Sequence, residues 1–377
     1  MRNPFVYGSV VTGRDFADRK EEIASLVRDM KDRQRVFLIS PRRYGKTSLV
    51  INVLARLRRS AYYTAYIDLY RVTSVKSFFE MYANAVVSRA ETKLEKAVRL
   101  LGELLPGIRP KITIEQDGKA VIGVEYIPSE KELAPALKAL FNLPERLASR
   151  RKKHFVVAID EFQEIRELDG ERMEKAMRAA IQHQKNVGYL FAGSKKSIIH
   201  DMVNRSDGAF YRMGRTFNLK KMPRDAYAGF ILRRFRGSGI EIEEGTVRSI
   251  LDVTEDCPYY AQYLCHELWD RFRDRKLVKE DDILPALDEI LSEETPLYVA
   301  LWDGMTLHQR RTLKAIATHG GKHVFSNDFV TENELGPSST LQTTLHLLQK
   351  KQVVDKDNGE YIITDVFFKD WIRRKIA

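Results

Sequence analysis

The segment Ser40-Pro41-Arg42-Arg43-Tyr44-Gly45-Lys46-Thr47-Ser48 constrains this chain more than any other. It follows the apolar run Val36-Phe37-Leu38-Ile39 and precedes a helical stretch from Thr47 to Arg59. A short apolar run between polar turns suits a strand buried on both faces, as in a parallel sheet. A glycine-containing turn leading from such a strand into a helix N-terminus offers backbone N–H groups to a polyphosphate. The side chains suit the same chemistry. Lys46 is expected to reach the β/γ oxygens, and the Thr47 hydroxyl to ligate Mg²⁺. Gly45 is expected to let the backbone approach without a Cβ. The usual pattern opens with glycine, and Ser40 stands there instead. The alternative is a basic loop that merely caps a strand, so the reading needs a second motif.

That motif is His154-Phe155-Val156-Val157-Ala158-Ile159-Asp160-Glu161, an apolar strand ending in two carboxylates. Asp160 is expected to hold the Mg²⁺ shell, and Glu161 to polarise the attacking water as general base. Alone it would be an acidic strand exit. Beside the first loop it reads as the other half of an ATP site. A further strand, Tyr189-Leu190-Phe191-Ala192, leads into Gly193-Ser194. Strand ends of a doubly wound sheet converge on the ligand crevice. Ser194 is therefore expected to sense the γ-phosphate or the water, with a plain turn serine as the alternative.

Strands alternating with helices predict an α/β fold with a doubly wound parallel sheet. Tyr62 to Leu69 reads as another strand, and residues 75–104 and 130–150 as helix. Two alternating runs around Asp117-Gly118 read as a hairpin inserted at about 108–128. The expected domains are an ATPase core over 1–221, a helical lid over 222–302 and a winged helix over 303–377. The last is read as three helices and a hairpin. Helices run from Met305 to Ala317, from Phe325-Ser326, and from Pro337 with Leu341, Leu345 and Leu348 inward. Gln342, Thr343, His346, Gln349 and Lys350 face outward. Asn358-Gly359 marks the wing.

Taken together, these residues resemble the archaeal-type ATPase family, a branch of the STAND/AAA+ P-loop superfamily. The resemblance rests on Asn3-Pro4-Phe5, Pro41-Arg42-Arg43 with Gly45-Lys46-Thr47-Ser48, Ile159-Asp160-Glu161-Phe162-Gln163 and Gly193-Ser194. It extends to Met213-Gly214-Arg215 and to Cys257-Pro258-Tyr259-Tyr260-Ala261-Gln262-Tyr263-Leu264. It implies ATP and Mg²⁺ as ligands, with a helical lid and a winged helix. It also implies that Arg19, in Asp18-Arg19-Lys20, lies near the adenine, where the family has Gly-Arg-Glu. Pro258 marks the lid motif, with Asp256 in place of the family's glycine. Arg215 is the candidate arginine finger toward a neighbouring subunit, with Arg205 and Arg212 as alternatives.

Net charge is +11, which suits a polyanionic partner, DNA above all. Residues 205–236 hold nine basic and two acidic side chains. The winged helix is less biased, with eleven basic and nine acidic residues from Asp303 onward. Protein contact is the alternative for that module. Cys257 and Cys265 are the only cysteines, too few for a disulfide framework, and no apolar run of membrane-spanning length occurs. A cytoplasmic setting is expected. The function expected is an ATP-hydrolysing switch acting on DNA, in a mobile element, defence or replication, with rings or filaments as a way of assembling. The competing readings are a nucleotide-bound transcription regulator or scaffold, and an ATP-dependent protein adaptor.

Overall fold

The computed structural model describes residues 2–376 except Asp18, Thr92, 106–107, 115–117, 119, 126–129, 195 and 358. Asp18 and the turn residues Asp117 and Asn358 therefore lie outside the described residues. The chain forms two compact units, Val10–Lys220 and Lys221–Ala377 joined by Met1–Ser9.

The first unit begins with α1 (Lys20–Lys31), β1 (Arg35–Ile39), α2 (Lys46–Arg59) and β2 (Tyr63–Asp68). It continues through α3 (Val75–Ala90), α4 (Leu94–Leu104), β3 (Pro110–Ile114), β4 (Ala120–Val124) and α5 (Glu130–Arg151). β5 (Phe155–Asp160), α6 (Arg166–Ile181), β6 (Val187–Gly193), α7 (Lys196–Asn204) and β7 (Arg215–Asn218) complete it. The main sheet is parallel, in the order β2-β5-β6-β1-β7. β5 and β6 are buried along their whole length, as strands covered on both faces must be. One face packs Phe37, Phe162, Phe191 and Phe210 with Phe78 and Leu140. The other packs Val36, Leu38 and Val156 with Leu26, Leu49 and Leu57. Register sets Asp68 beside Asp160 and Ile39 beside Gly193. The C-terminal ends of four strands thus meet at one sheet edge, where an open α/β sheet binds its ligand.

Two differences from the sequence reading stand out. The single helix expected over 75–104 is two, because Glu91 is extended (φ −142°, ψ 125°) and α4 folds back onto the same core. A fifth strand, β7, joins β1 where only the Gly214-Arg215 motif had been noted; the strand is only four residues long. Gly214 is required there, since a Cβ would stand 2.2 Å from the Arg35 carbonyl. The inserted hairpin of β3 and β4 is antiparallel and forms a sheet of its own.

The second unit holds α8 (Arg224–Gly237), β8 (Glu241–Ile242), α9 (Glu244–Val253), α10 (Pro258–Phe272), β9 (Leu277–Val278) and α11 (Ile283–Asp303). It ends with α12 (Leu307–His319), α13 (Asn327–Glu332), α14 (Ser338–Lys350), β10 (Val354–Asp357), β11 (Glu360–Ile363) and α15 (Val366–Lys375). Residues 2–9 pack here. Phe5 is buried against Phe235, and Tyr7 stacks on Tyr263 at 4.1 Å. The helices α12 to α14 and the β10–β11 hairpin form the winged helix, and Leu341, Leu345 and Leu348 are buried. The closing helix α15 was not expected from the sequence. It buries Phe367, Phe368, Trp371 and Ile372. Phe367 packs on Tyr260, and Trp371 donates to the Thr295 hydroxyl at 3.1 Å. Among the described residues, no helix is long and apolar enough to cross a membrane.

Candidate active site

The phosphate loop leaves β1 at Ser40 and enters α2 at Lys46. Its left-handed residues are Arg43 (φ 67°) and Gly45 (φ 80°), and Ser40 is not among them. The first position therefore makes no demand for glycine, which explains how serine fits. Ser40 is fully buried, and its hydroxyl donates to the Pro41 carbonyl at 2.9 Å. Gly45 is the position that needs glycine. A Cβ there would meet no protein atom, but its backbone lies where side chains are strained.

Five groups converge beside this loop. Lys46 Nζ, 7% exposed, lies 2.6 Å from Asp160 Oδ1 and 2.5 Å from Glu161 Oε1. Thr47 Oγ1 donates to Asp160 Oδ2 at 2.6 Å. Asp160 is 2% exposed, and every contact it makes is a donor: Tyr66 OH reaches Oδ2 at 3.1 Å, and the Glu161 N–H reaches Oδ1 at 2.9 Å. Glu161 is left-handed (φ 49°, ψ 45°), a costly conformation for a non-glycine residue. Its Oε2 accepts from Ser194 Oγ at 3.0 Å and from Gln163 Nε2 at 2.5 Å. The structure thus brings Lys46, Thr47, Asp160, Glu161 and Ser194 into one cluster.

Tyr66, Asp68 and Gln163 belong to the same cluster, though the sequence reading gave them no role. Burial, then the charges of Asp160 and Asp68, push the Tyr66 phenol far above its ordinary range, so it remains a donor. Burial also raises the Asp68 carboxyl, with Asp160 adding to the rise and the Tyr70 N–H opposing it. Tyr66-Ile67-Asp68 is itself a strand ending in a carboxylate, the signal that marked Asp160. Gln163 sits beside Gly193, where a Cβ would stand 2.3 Å from Gln163 Oε1.

The other expected residues lie apart from this cluster. Arg19 is buried and grips two carbonyls: Tyr44 O in the phosphate loop at 3.3 Å and Lys220 O at 3.1 Å. Arg42 and Arg43 flank the loop and are exposed. Ser48 is buried, and its hydroxyl accepts the Val11 N–H at 3.1 Å. Arg215 begins β7 opposite Val36, at the far end of β1 from the loop, and pairs with Asp29 at 2.7 Å. Arg205 forks onto Asp207 at 2.7 and 3.1 Å, beside a recess of about 280 Å³ lined by Arg166, Glu174 and Asp201. That recess holds paired charges and no phosphate loop. Pro258 opens α10 in the second unit, and its carbonyl accepts the Tyr227 hydroxyl at 3.1 Å.

Comparison with known proteins bears on the family and the fold. A family model described as "ATPase domain predominantly from Archaea" matches residues 16–261. One described as "Probable winged helix domain" matches residues 296–374. Among solved structures, the chain is similar to the Walker-type ATPase PABY2304 of Pyrococcus abyssi (17% identity, 95% of this chain and 96% of that chain, TM-score 0.67). It is similar to the ORC2 protein of Aeropyrum pernix in ADPNP–ADP complexes (14% identity, 100% and 98%, TM-score 0.59). It is also similar to the ORC1 protein of Aeropyrum pernix in complex with DNA (12% identity, 96% and 93%, TM-score 0.51). At these identities the likeness is one of fold, the P-loop AAA+ sheet with flanking helices. No curated protein matches the chain in sequence. With the ATPase model spanning more than half of its length, the chain belongs to the family of ATPase domains found predominantly in Archaea.

Proposed function

We propose that this chain binds and hydrolyses ATP in a Mg²⁺-dependent way and acts as a switch on DNA. The observation that carries the reading is the Lys46 ammonium held between Asp160 and Glu161, with Thr47 on the same aspartate. The polyphosphate is recognised by the α2 N-terminus and by Lys46. Phosphate oxygens compete with Glu161 for Lys46, which frees Glu161 Oε1 to accept a proton from water. Ser194 and Gln163 keep the other oxygen fixed. The general base is thus oriented before the substrate arrives.

Thr47 and Asp160 fit a Mg²⁺ site, because their oxygens already meet at 2.6 Å. Among the described residues, no group of three His, Cys, Asp or Glu side chains makes a metal site by itself. A Mg²⁺ held by Thr47 and Asp160 would need no such group, since phosphate oxygens and water would supply its remaining ligands. When bound, the ion supplies charge neutralisation at the β/γ oxygens.

Support for DNA comes from charge and from the winged helix. The net charge is +11, and Gln342, Thr343, His346 and Lys350 lie exposed on α14. These are suited to a groove and to phosphates. The ORC1 protein of Aeropyrum pernix, solved with DNA, shares the fold. Arg215, 49% exposed on an edge strand, is kept as the candidate finger toward a neighbouring subunit. The test is ATP turnover by the full chain, with and without duplex DNA at two salt concentrations. Lys46→Ala and Glu161→Gln serve as controls. Turnover that is Mg²⁺-dependent, lost in both variants and raised by DNA is the expected result. Turnover indifferent to DNA at both salts refutes the DNA part. Tight ATP binding without turnover refutes the hydrolysis part.

A further inference from the structure

The end of the main sheet away from Lys46 is where the chain keeps its charge. Segments 28–35, 56–63, 88–91, 149–154 and 182–187 end helices or lead into strands there. They hold thirteen Lys and Arg against three acids, a surplus of ten in a chain whose net charge is +11. Twelve of these cations are exposed. The other, Arg35, is half-buried and holds the Ile181 and Gln184 carbonyls. The turns into β2, β5, β6 and β1 lie side by side, in that order. The Tyr63 N–H donates to His154 O, the Phe155 N–H to Asn186 O and the Tyr189 N–H to Gln34 O, each at 3.0 Å. At about 4.8 Å per strand, the row of four is about 15 Å long. Arg59, Lys152, Lys185 and Arg33 stand along it, one before each strand, and none meets an acid among the described residues. Of the three acids, Glu91 pairs with Arg151 and Asp29 with Arg215. Two more reach in from outside these segments: Glu103 pairs with Arg150, and Glu145 is taken up by the Asn186 N–H and side-chain amide.

Cations at helix C-termini are ordinary, because the macrodipole leaves about half a negative charge there. That explains only part of the surplus. The last turn of α2 alone carries Arg56, Arg58 and Arg59. Burial, then the nearby charge of Arg89, hold the Arg58 guanidinium below its ordinary range, so like charges are crowded here rather than neutralised. Arg33 and Lys152 lie beyond the ends of α1 and α5, at φ 58° and 51°. The Arg33 and Gln34 N–H groups reach back to Met30 O and Asp29 O, and those of Lys152 and Lys153 to Ser149 O and Ala148 O. Glycine is the usual residue at a helix end with this bonding, and both positions carry a cation instead. Among the described residues, no large apolar side chain is exposed in these segments. A protein interface needs an apolar centre, and a membrane contact needs an apolar anchor beside the charge. A phosphate backbone needs neither. Tyr62 and Tyr63 are half-buried and engaged, the first stacked on His154 and the second under Lys153, so their rings are not offered to bases.

We infer that this end of the sheet is a separate nucleic-acid contact, which holds the sugar–phosphate backbone of a duplex without reading its sequence. A duplex carries one charge per about 1.7 Å of axis, so a row of about 15 Å spans about nine phosphates of the two strands. The contact extends the DNA reading above to a face of the ATPase unit, and it depends on neither α14 nor ATP.

The test is fluorescence anisotropy of the full chain on labelled duplexes of two unrelated sequences, without nucleotide, over a range of salt. The wild type should bind both alike. Arg33→Gly, Lys152→Gly and Lys185→Ser together remove three cations, and glycine suits the two left-handed positions, so the urea midpoint should not fall. Affinity should drop at least about tenfold on both sequences, and the salt slope should shrink by about two to three. Arg33→Lys, Lys152→Arg and Lys185→Arg together keep the charge and should bind as the wild type does. A neutralised variant with wild-type affinity and salt slope overturns the proposal. Binding to phosphatidylserine vesicles but to no duplex also overturns it. ATP turnover separates this proposal from the switch reading. Turnover raised by DNA equally in the wild type and the neutralised variant, with equal affinity, leaves the switch standing and sinks this contact. Duplex binding lost in the neutralised variant, with wild-type turnover indifferent to DNA, supports the contact and sinks the switch.

Discussion

Removing the Lys46 ammonium has a consequence that can be read without any nucleotide. Lys46 Nζ lies 2.6 Å from Asp160 and 2.5 Å from Glu161, and Asp160 is 2% exposed. At an effective dielectric of about 20, each contact is worth a gross attraction of roughly 6 kcal/mol, most of which offsets desolvation. Deleting one partner of a buried pair exposes the uncompensated cost, about 3 kcal/mol or more. Lys46→Met keeps the apolar stem and removes only the charge. The ATPase unit of that variant should lose about 3 kcal/mol in the absence of ATP and Mg²⁺. With a urea slope of about 3 kcal/mol per M, the midpoint falls by about 1 M. Adding Glu161→Gln removes one of the stranded carboxylates and should recover about 1 kcal/mol.

Far-UV circular dichroism follows the transition. The chain has a built-in comparison, because Trp269, Trp302 and Trp371 all lie in the second unit. Their fluorescence reports that unit and not the ATPase unit. A Lys46→Met chain as stable as wild type, or a double variant less stable than the single, would refute the reasoning.

Three further outcomes are expected. Gly193→Ala pushes a methyl group to 2.3 Å from Gln163 Oε1 and 2.4 Å from Ile199 Cδ1. It should cost about 2 kcal/mol and reduce ATP turnover while retaining nucleotide binding, measured by urea unfolding and steady-state kinetics. Phe367→Ala empties the space against Tyr260 and Tyr263, and should destabilise the second unit by about 3 kcal/mol in tryptophan-detected unfolding. Burial pushes the Cys265 thiol far above its ordinary range, so it should resist a thiol reagent at pH 8 and react once the chain is denatured.

The cluster around Lys46 was legible because its sequence pattern is local. Gly45-Lys46-Thr47 and Ile159-Asp160-Glu161 each follow or end a strand and carry the charged side chain within a few residues of it. Tyr66 and Asp68 were missed because their role depends on register. Asp68 meets Asp160 only once β2 lies beside β5. The break at Glu91 was hidden for a similar reason. Neither glycine nor proline marks it, and α4 turns there because its apolar face, Ala97, Leu100, Leu101 and Leu104, has a core to cover. β7 is too short to show an alternating pattern, and its place beside β1 is fixed by the close approach at Gly214. Helix α15 follows the wing within three residues and repeats apolar positions over barely three turns, so periodicity alone gave it little weight.

Arg19 gives the phosphate loop an anchor point. One planar guanidinium holds the Tyr44 carbonyl and the carbonyl of Lys220, the last residue before the chain enters its second unit. A plane with fixed donor angles cannot follow two acceptors that drift apart. The peptide at Tyr44 and the peptide at Lys220 are therefore geared together. Any rotation of the first has to be matched by the second or cost a hydrogen bond, and a lysine in place of Arg19, a swivelling point charge, would uncouple the gear while keeping the charge.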